Sequence, residues 1–494
     1  MVIQLQKLQF EFMKYFVFSI LFCINLFFYG QVSIDGNAPS LKGKYVSILQ
    51  VEDYVTNTYK NLGRQKVDST GKFSFKLVVE KAFKAIIEIE EKSSILYIDP
   101  NTKLYKINIP NGKNTAGSNV KLVFEDLPDN DLNALVLEYN LRADNFMFGD
   151  SMYVLKCIKS NNFKEYSTQL DKFKDSLIQY YKPIKNKYFH NYIRYSIASL
   201  EQISTGKEIV TNRINVFNNY INNKPLLYNN DAYMEFINQF YENTLKLPVK
   251  GGKDKLYLAI NNYASLSMLN EIFINDIFLK DARLRELIMI KGLGEEFYYE
   301  NFIKENILKL IAEIGNTSLF PENRIIAKNT FALLTHLQIG YKAPDFSIVT
   351  SKGDSISLDS LKGKYIYIGF WASWNESSLL EMEIAEKLFK DYGKYIEFIS
   401  VSMDKDENAY LQYIKEHPEF KWHIAHYSGD VGLITDYRLK NIPEYFLIDP
   451  DGIILQAPAF KPSPNGDYQS IDLTFFEIKK KLEPKKVRVI GVRD

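Results

Sequence analysis

Cysteine is nearly absent: the 494-residue chain has two, Cys23 and Cys157. Cys23 lies in an N-terminal apolar run, so a processed chain would keep Cys157 alone. One cysteine cannot close an internal disulfide, even in an oxidising compartment. Its setting, Val154-Leu155-Lys156-Cys157-Ile158, is apolar and helical. That context reads as a small buried hydrophobe rather than an intermolecular bridge or a reactive thiol. Net charge is lacking too. Lys and Arg number 61 against 60 Asp and Glu, which leaves no electrostatic footprint for nucleic acid or a strongly acidic partner. Beyond the N-terminus no stretch is long and apolar enough to cross a bilayer. There is no Gly-x-Ser-x-Gly elbow to activate a serine. Lys250-Gly251-Gly252-Lys253 lacks the spacing and the following Ser or Thr of a phosphate loop.

Aromatic residues are abundant, with 34 Tyr and 34 Phe, and predict ring-rich cores. Near the start, Lys14 precedes a run from Tyr15 to Tyr29 with almost no polar residue, and small Gly30 leads into Gln31. This is the pattern of a signal peptide, expected over residues 1–30 and too short for a comfortable span. Translation from Met13 would serve equally well. An uncleaved membrane anchor is the alternative. A lipid anchor at Cys23 is disfavoured, because Leu21-Phe22 is a poor lipobox and apolar residues continue past it. The expectation is an exported protein of the periplasm or cell envelope that meets a membrane only through its N-terminus.

The length is a soft prior for about three domains. Residues 31–125 read as short strands and turns. Val67-Asp68-Ser69-Thr70-Gly71-Lys72-Phe73-Ser74-Phe75-Lys76-Leu77 is a turn feeding a strictly alternating strand, and Lys44–Leu49, Ala85–Glu90, Ile95–Ile98 and Leu104–Ile109 continue the pattern. Such spacing suggests an antiparallel β-sandwich. The Asp68–Phe75 stretch resembles the small N-terminal sandwich domain often fused to envelope thioredoxin-like proteins; a glycan ligand there would rest on fold analogy alone.

Over residues 129–338 the period changes. Phe163, Tyr166, Leu170, Phe173, Leu177 and Tyr181 fall on one helical stripe. Phe189, Ile193, Ile197 and Leu200 form another, as do Tyr233, Phe236 and Phe240, and Ile303, Ile307, Leu310 and Ile314. Turn signals at Asn222–Pro225 and Lys250–Gly252 separate them. An all-α middle domain of eight to ten helices, with no internal repeat, is expected.

From 341 to 484 strands and helices alternate. Tyr365–Ala372 is an apolar run, as for a strand buried on both faces. Ser377 and Ser378 can cap a helix with Leu380, Ile384, Leu388 and Phe389 on its apolar face. Tyr395–Met403 is a second buried strand and Asp404–His417 a second helix. Lys421–His426, Tyr445–Ile448 and Ile453–Gln456 are further strands, Pro450-Asp451-Gly452 the turn between the last two. A closing helix spans Ile471–Leu482. A βαβ start followed by a hairpin implies a mixed sheet with helices on both faces.

Three separated motifs then carry a resemblance. Gly340-Tyr341-Lys342-Ala343-Pro344-Asp345-Phe346, then Leu361-Lys362-Gly363-Lys364 with Phe370-Trp371-Ala372-Ser373-Trp374, then Asn441-Ile442-Pro443-Glu444-Tyr445-Phe446-Leu447-Ile448-Asp449 occur in the order of TlpA-like envelope thiol–disulfide reductases. The resemblance implies a C-terminal α/β thioredoxin fold. It covers under a third of the chain. The family places Cys-x-x-Cys directly after the second tryptophan; here Asn375 stands at the attacking position and Ser378 at the resolving one. Glu381 and Met382 match the family, and Glu383 replaces its usual proline.

Thiol–disulfide exchange needs an attacking thiolate and a second thiol to resolve the mixed disulfide. Neither an amide nor an unactivated hydroxyl substitutes, and the domain has no peroxidatic cysteine. No other catalytic set replaces them. Ser377 and Ser378 have no obvious partner base. His423 and His426 point to opposite faces of a strand, so joint metal ligation is awkward, and His417 adds no third ligand. Glu376, Glu381 and Glu383 read as a solvated helix start. No cofactor is implied. In active relatives the loop before the family's cis-proline pairs with substrate backbone. Carried over, Trp374, Glu376, Ile442 and Pro443 would line a groove for an envelope peptide or protein. Space-filling by Trp371 and Trp374 and turn-shaping by Pro443 explain the same residues without a ligand. The first reading is thus a redox-inactive binding or structural module. The alternative is an oxidoreductase working through partner thiols or Cys157.

Overall fold

The computed structural model describes residues 30–483 except 90–91, 111–120, 150–151, 204–208, 247–252, 300, 429–430 and 466–468. The expected signal segment, with Met13 and Cys23, and the Lys250–Gly252 turn lie outside the described residues.

The chain is multidomain, with a sheet-rich N-terminal part, a helical middle and a C-terminal thioredoxin-like part. The N-terminal strands are β1 (Gly30–Asn37), β2 (Tyr45–Asp53), β3 (Thr58–Lys66), β4 (Lys72–Val79), β5 (Phe83–Ile89), β6 (Lys92–Ile98), β7 (Leu104–Asn108) and β8 (Val123–Glu125). They make two four-stranded sheets, ordered β4-β1-β7-β8 and β3-β2-β5-β6. In β4 the residues alternate strictly, so Phe73, Phe75, Leu77 and Val79 are buried. They share one apolar core with Val46, Ile48, Ala85 and Ile87 of the other sheet. Two expectations need correction. The pairing is not wholly antiparallel, because β1 runs parallel to β7. And a strand that the sequence pattern did not mark, β3, lies between Lys44–Leu49 and the Val67 turn. It is an edge strand whose residues are mostly exposed, with Leu62 packed against the core.

The middle part holds eleven α-helices among the described residues, from Leu132–Phe148 to Pro321–Leu334, more than the stripes suggested. Asn186, Asn230, Ser265 and Asp281 cap helix starts by accepting a first-turn N–H. Phe236, Phe240, Ile307, Leu310 and Ile314 pack in one core. Ile303 does not join them. It precedes the helix Lys304–Thr317 and is 47% exposed. Asp231, first residue of the helix Asp231–Phe240, joins sheet to helices. It accepts from Tyr97 Oη at 2.8 Å and Tyr188 Oη at 2.9 Å and lies 3.5 Å from Lys84 Nζ. Burial, then the Asp231 charge, pushes both tyrosine hydroxyls well above their ordinary pKa. Cys157 is buried in the helix Tyr153–Lys159 against Val154, Tyr166 and Leu170.

The C-terminal part opens with the hairpin β9 (Ser347–Val349) and β10 (Ser355–Ser357). A five-stranded sheet comes next: β11 (Tyr365–Trp371), β12 (Ile396–Ser402), β13 (His423–His426), β14 (Glu444–Ile448) and β15 (Ile454–Gln456), in the order β13-β12-β11-β14-β15. β11, β12 and β13 are mutually parallel, while β14 is antiparallel to β11 and β15 to β14. All seven residues of β11 are buried. Tyr365, Tyr367 and Trp371 enter the core under the helices Glu376–Tyr392 and Asp472–Leu482. Ile366, Ile368 and Phe370 enter the core on the other face. Gly369 is obligatory, since a Cβ there would sit 2.3 Å from the Tyr445 ring on the neighbouring strand.

Across this sheet Glu397 meets Lys364 Nζ at 2.6 Å and His423 Nε2 at 3.2 Å. The His423 hydrogen bond foremost, then Lys364, lowers its carboxyl from 4.5 to about 2. A carboxyl with a depressed folded value adds stability above its unfolded value and loses it as pH falls through the folded one. Glu397→Gln should therefore lower the melting temperature at neutral pH. It should also flatten the loss of stability between about pH 4.5 and 2, read by thermal denaturation across that range. Parallel wild-type and variant curves would contradict the assignment.

Candidate functional site

The parallel register of β11 and β12 places Trp371 opposite Ser402, so the loops leaving both strands emerge side by side. Ala372–Trp374 leaves the first and Met403–Asp404 the second. Asp404 is almost fully buried, at 1% exposure, and its carboxylate is held by neighbours. It accepts from the Ser373 N–H at 3.0 Å, Ser373 Oγ at 2.8 Å and Ser402 Oγ at 2.6 Å. Its backbone carbonyl accepts from His426 Nε2 at 2.7 Å, while His426 Nδ1 accepts from the Ser428 N–H at 3.1 Å. His426 is thereby placed as the neutral Nε2–H tautomer. The Ser428 carbonyl accepts from Arg64 Nη2 of β3 at 2.6 Å. A continuous line of hydrogen bonds thus runs from the N-terminal sheets to the loop carrying Trp374. Residue spacing alone does not reveal Asp404. The signal was the pairing of two parallel strands, which puts the residues just beyond them in contact.

Asn375 begins the next helix, Glu376–Tyr392. Its Oδ1 accepts from the Ser378 N–H at 2.8 Å and its Nδ2 donates to the Ile442 carbonyl at 3.3 Å. One side chain therefore caps the helix and holds the Ile442–Pro443 loop. The expected capping by Ser377 or Ser378 is corrected: these lie inside the first turn, where their amides are donors needing a cap. The expected apolar face is rotated as well. Met382, Ala385, Leu388 and Tyr392 face the core, and Leu380 is 54% exposed.

Glu381 departs from the solvated reading. It is 3% exposed and accepts from Ser463 N at 2.8 Å and Ser463 Oγ at 2.5 Å. Burial, and among lesser causes the Glu381 charge, holds the Tyr367 and Tyr445 hydroxyls far above their ordinary range. Glu376 and Glu383 are exposed. Ser378 is completely buried and its Oγ finds no hydrogen-bond partner among the described residues, which removes it as a nucleophile. Trp371 Nε1 and Glu444 Oε2 share that condition.

Of the remaining sequence candidates, Trp371 is buried but Trp374 is 67% exposed. Pro443 is buried and Ile442 half-buried, and their peptide bond is cis. The Asn375–Ile442 bond brings the motif and this loop together, so Trp374, Glu376, Ile442 and Pro443 border one region. The histidines have separate partners: His417 lies 2.9 Å from Glu419, His423 on Glu397, His426 on the Asp404 backbone. No group of three potential metal ligands converges among the described residues.

Known proteins are similar to the C-terminal part of this chain. A family model described as thioredoxin-like matches residues 363–454. Thiol-disulfide oxidoreductase ResA of Bacillus anthracis is 31% identical over 127 residues, 26% of this chain and 72% of the relative. Thioredoxin-like protein YneN of Bacillus subtilis (strain 168) is 30% identical over 118 residues, 24% of this chain and 69% of the relative. A solved thiol-disulfide oxidoreductase from Bacteroides fragilis NCTC 9343 aligns with 29% of this chain and 100% of its own, at 25% identity and a TM-score of 0.24. Through its C-terminal part, the chain belongs to the thioredoxin-like family of thiol–disulfide oxidoreductases.

Neighbouring motif positions should respond to truncation with opposite signs. Asn375→Ala removes a cap and should cost about 1 kcal/mol. Ser378→Ala removes a buried hydroxyl that makes no bond and should stabilise by about 1 kcal/mol. Urea denaturation of both variants checks this; a destabilised Ser378→Ala would show that the hydroxyl is satisfied.

Proposed function

We propose that this family member is a redox-inactive module that binds extended peptide segments of envelope proteins. The single observation that carries the reading is Asn375. At the family's attacking position stands an amide that caps a helix and holds the Ile442 carbonyl. That side chain makes two structural bonds and has no lone pair of thiolate character, and its resolving counterpart is a buried serine. Cys157, the one described cysteine, is buried in the helical part and offers no accessible thiol.

Support for binding comes from what surrounds the amide. Trp374 exposes a large ring beside the acidic Glu376 at the helix start, and the Ile442–Pro443 loop forms the opposing wall. An exposed tryptophan suits the anchoring of a peptide side chain, while the Ile442 carbonyl is already taken by Asn375. Export rests on the Tyr15–Tyr29 run. We further read the two N-terminal sheets as a β-sandwich over 31–125, joined to a helical domain over 129–338 and the thioredoxin-like domain over 341–484. These act as the frame that presents the groove.

Two measurements test the proposal. On peptide arrays the full chain should bind a subset of peptides, and Trp374→Ala should cut that binding at least tenfold. Equal binding by the variant would remove the groove. In insulin reduction the wild-type chain should show no turnover. The double variant Asn375→Cys with Ser378→Cys should gain it, because the fold around both positions is retained. Turnover by wild type that vanishes with Cys157→Ser would establish the alternative, an oxidoreductase.

A further inference from the structure

We infer a second binding site, for a small acidic saccharide, in the cleft where the N-terminal sheets meet the helical part. The cleft has a volume of about 560 Å³. That lies within the roughly 300–1,000 Å³ of ordinary ligand sites. Its rim carries three exposed lysines: Lys81 from the turn before β5, and Lys185 and Lys187 at the start of the helix Lys187–Glu201. None of the three has a carboxylate in ion-pair reach among the described residues. The one carboxylate in the lining, Asp99, has its oxygens occupied by neutral donors. It accepts from the backbone and side-chain amides of Asn101 at 2.8 and 2.7 Å and from Asn186 Nδ2 at 2.6 Å. Three lysines therefore face the cleft against a single carboxylate, in a chain balanced to one charge.

The other large cleft of the same two parts makes the contrast. It is about 770 Å³, and its lysines are neutralised within the protein, Lys84 by Asp231 and Lys291 by Glu295. The lysines of the first cleft thus differ from those of this larger one, which are paired. The rest of its lining defines the ligand frame. Leu226, Leu227 and Pro100 offer apolar surface, while the half-buried Asn191 side chain has no partner among the described residues. A bare inorganic anion would use the lysines only. A sugar ring bearing carboxylate or sulfate groups would also use the apolar wall through its ring face and the Asn191 amide through a hydroxyl.

The test is calorimetry on the full chain with three probes: a heparin-derived sulfated disaccharide, lactose and inorganic sulfate. The sulfated disaccharide should bind, and weaken as salt rises past about 0.15 M, where screening acts over roughly 8 Å. The double variant Lys185→Ala with Lys187→Ala should weaken it at least tenfold. Asn191→Ala should weaken it about threefold while leaving the salt dependence unchanged. Loss of affinity in both variants supports the site. Equal affinity for sulfate, or indifference to Asn191→Ala, would overturn the saccharide assignment, and no binding would overturn the site. Since none of these residues touches the Trp374 region, either outcome is independent of the peptide reading.

Discussion

The parallel pairing of β11 with β12 governs the site. Once Trp371 lies opposite Ser402, the residues just beyond both strands must meet. Ser373 and Asp404 meet there, and burial then forces a choice. A carboxylate taken out of water is costly unless donors surround it. Asp404 is surrounded by Ser373 and Ser402, so the loop that presents Trp374 is fixed by a charge that has nowhere else to go. The helix start obeys the same constraint. Its first-turn amides need an acceptor, and Asn375 supplies one while reaching Ile442 with its other end. Shape at this site is thus set by satisfied hydrogen bonds on polar groups, and by apolar packing underneath.

Much of this was legible in the residues. The apolar run Tyr365–Ala372, too short for an ordinary helix, reads as a doubly buried strand, and its first seven residues form β11. The stripes through Tyr166 and Leu170, or Tyr233 and Phe236, gave helices whose marked faces are buried, because period alone decides which side chains align. Other features are invisible to period. Glu381 looks like a solvated acid until Ser463, some eighty positions later, is seen to bond it. Asn375 and the two serines after it are all good caps by type. Only the backbone shows that the helix begins at Glu376 and that the asparagine is outside it. β3 carries no clean alternation, and its place at the edge of its sheet is set by pairing with β2, not by its own residues.

The family relation and the loss of sulfur are compatible because a fold and its chemistry are separable. Nothing in the sheet depends on cysteine. The aromatic packing of Tyr367 on Tyr445, 5.0 Å between ring centres, and the glycine that permits it are unrelated to redox chemistry. At the partly exposed position Asn375, a group with both donor and acceptor, makes two structural bonds.

At the buried position the exchange was less well accommodated. Ser378 Oγ sits with no partner, and a hydroxyl in that condition is destabilising. A thiol would not be. It is a weak donor and behaves in a core as a small hydrophobe, so a pocket without acceptors suits it. The surroundings of Ser378 therefore have the character a sulfur atom requires rather than the character a hydroxyl requires. A site under selection for serine as a working group would place a base or a carbonyl within reach of its hydroxyl. Here the polar atoms that could have served are engaged elsewhere: Glu381 on Ser463, and Asn375 on the helix amide and on Ile442. The buried half of the motif is thus a hydroxyl without a bond. What the region offers to a partner is on its outer side, at Trp374 and the helix start.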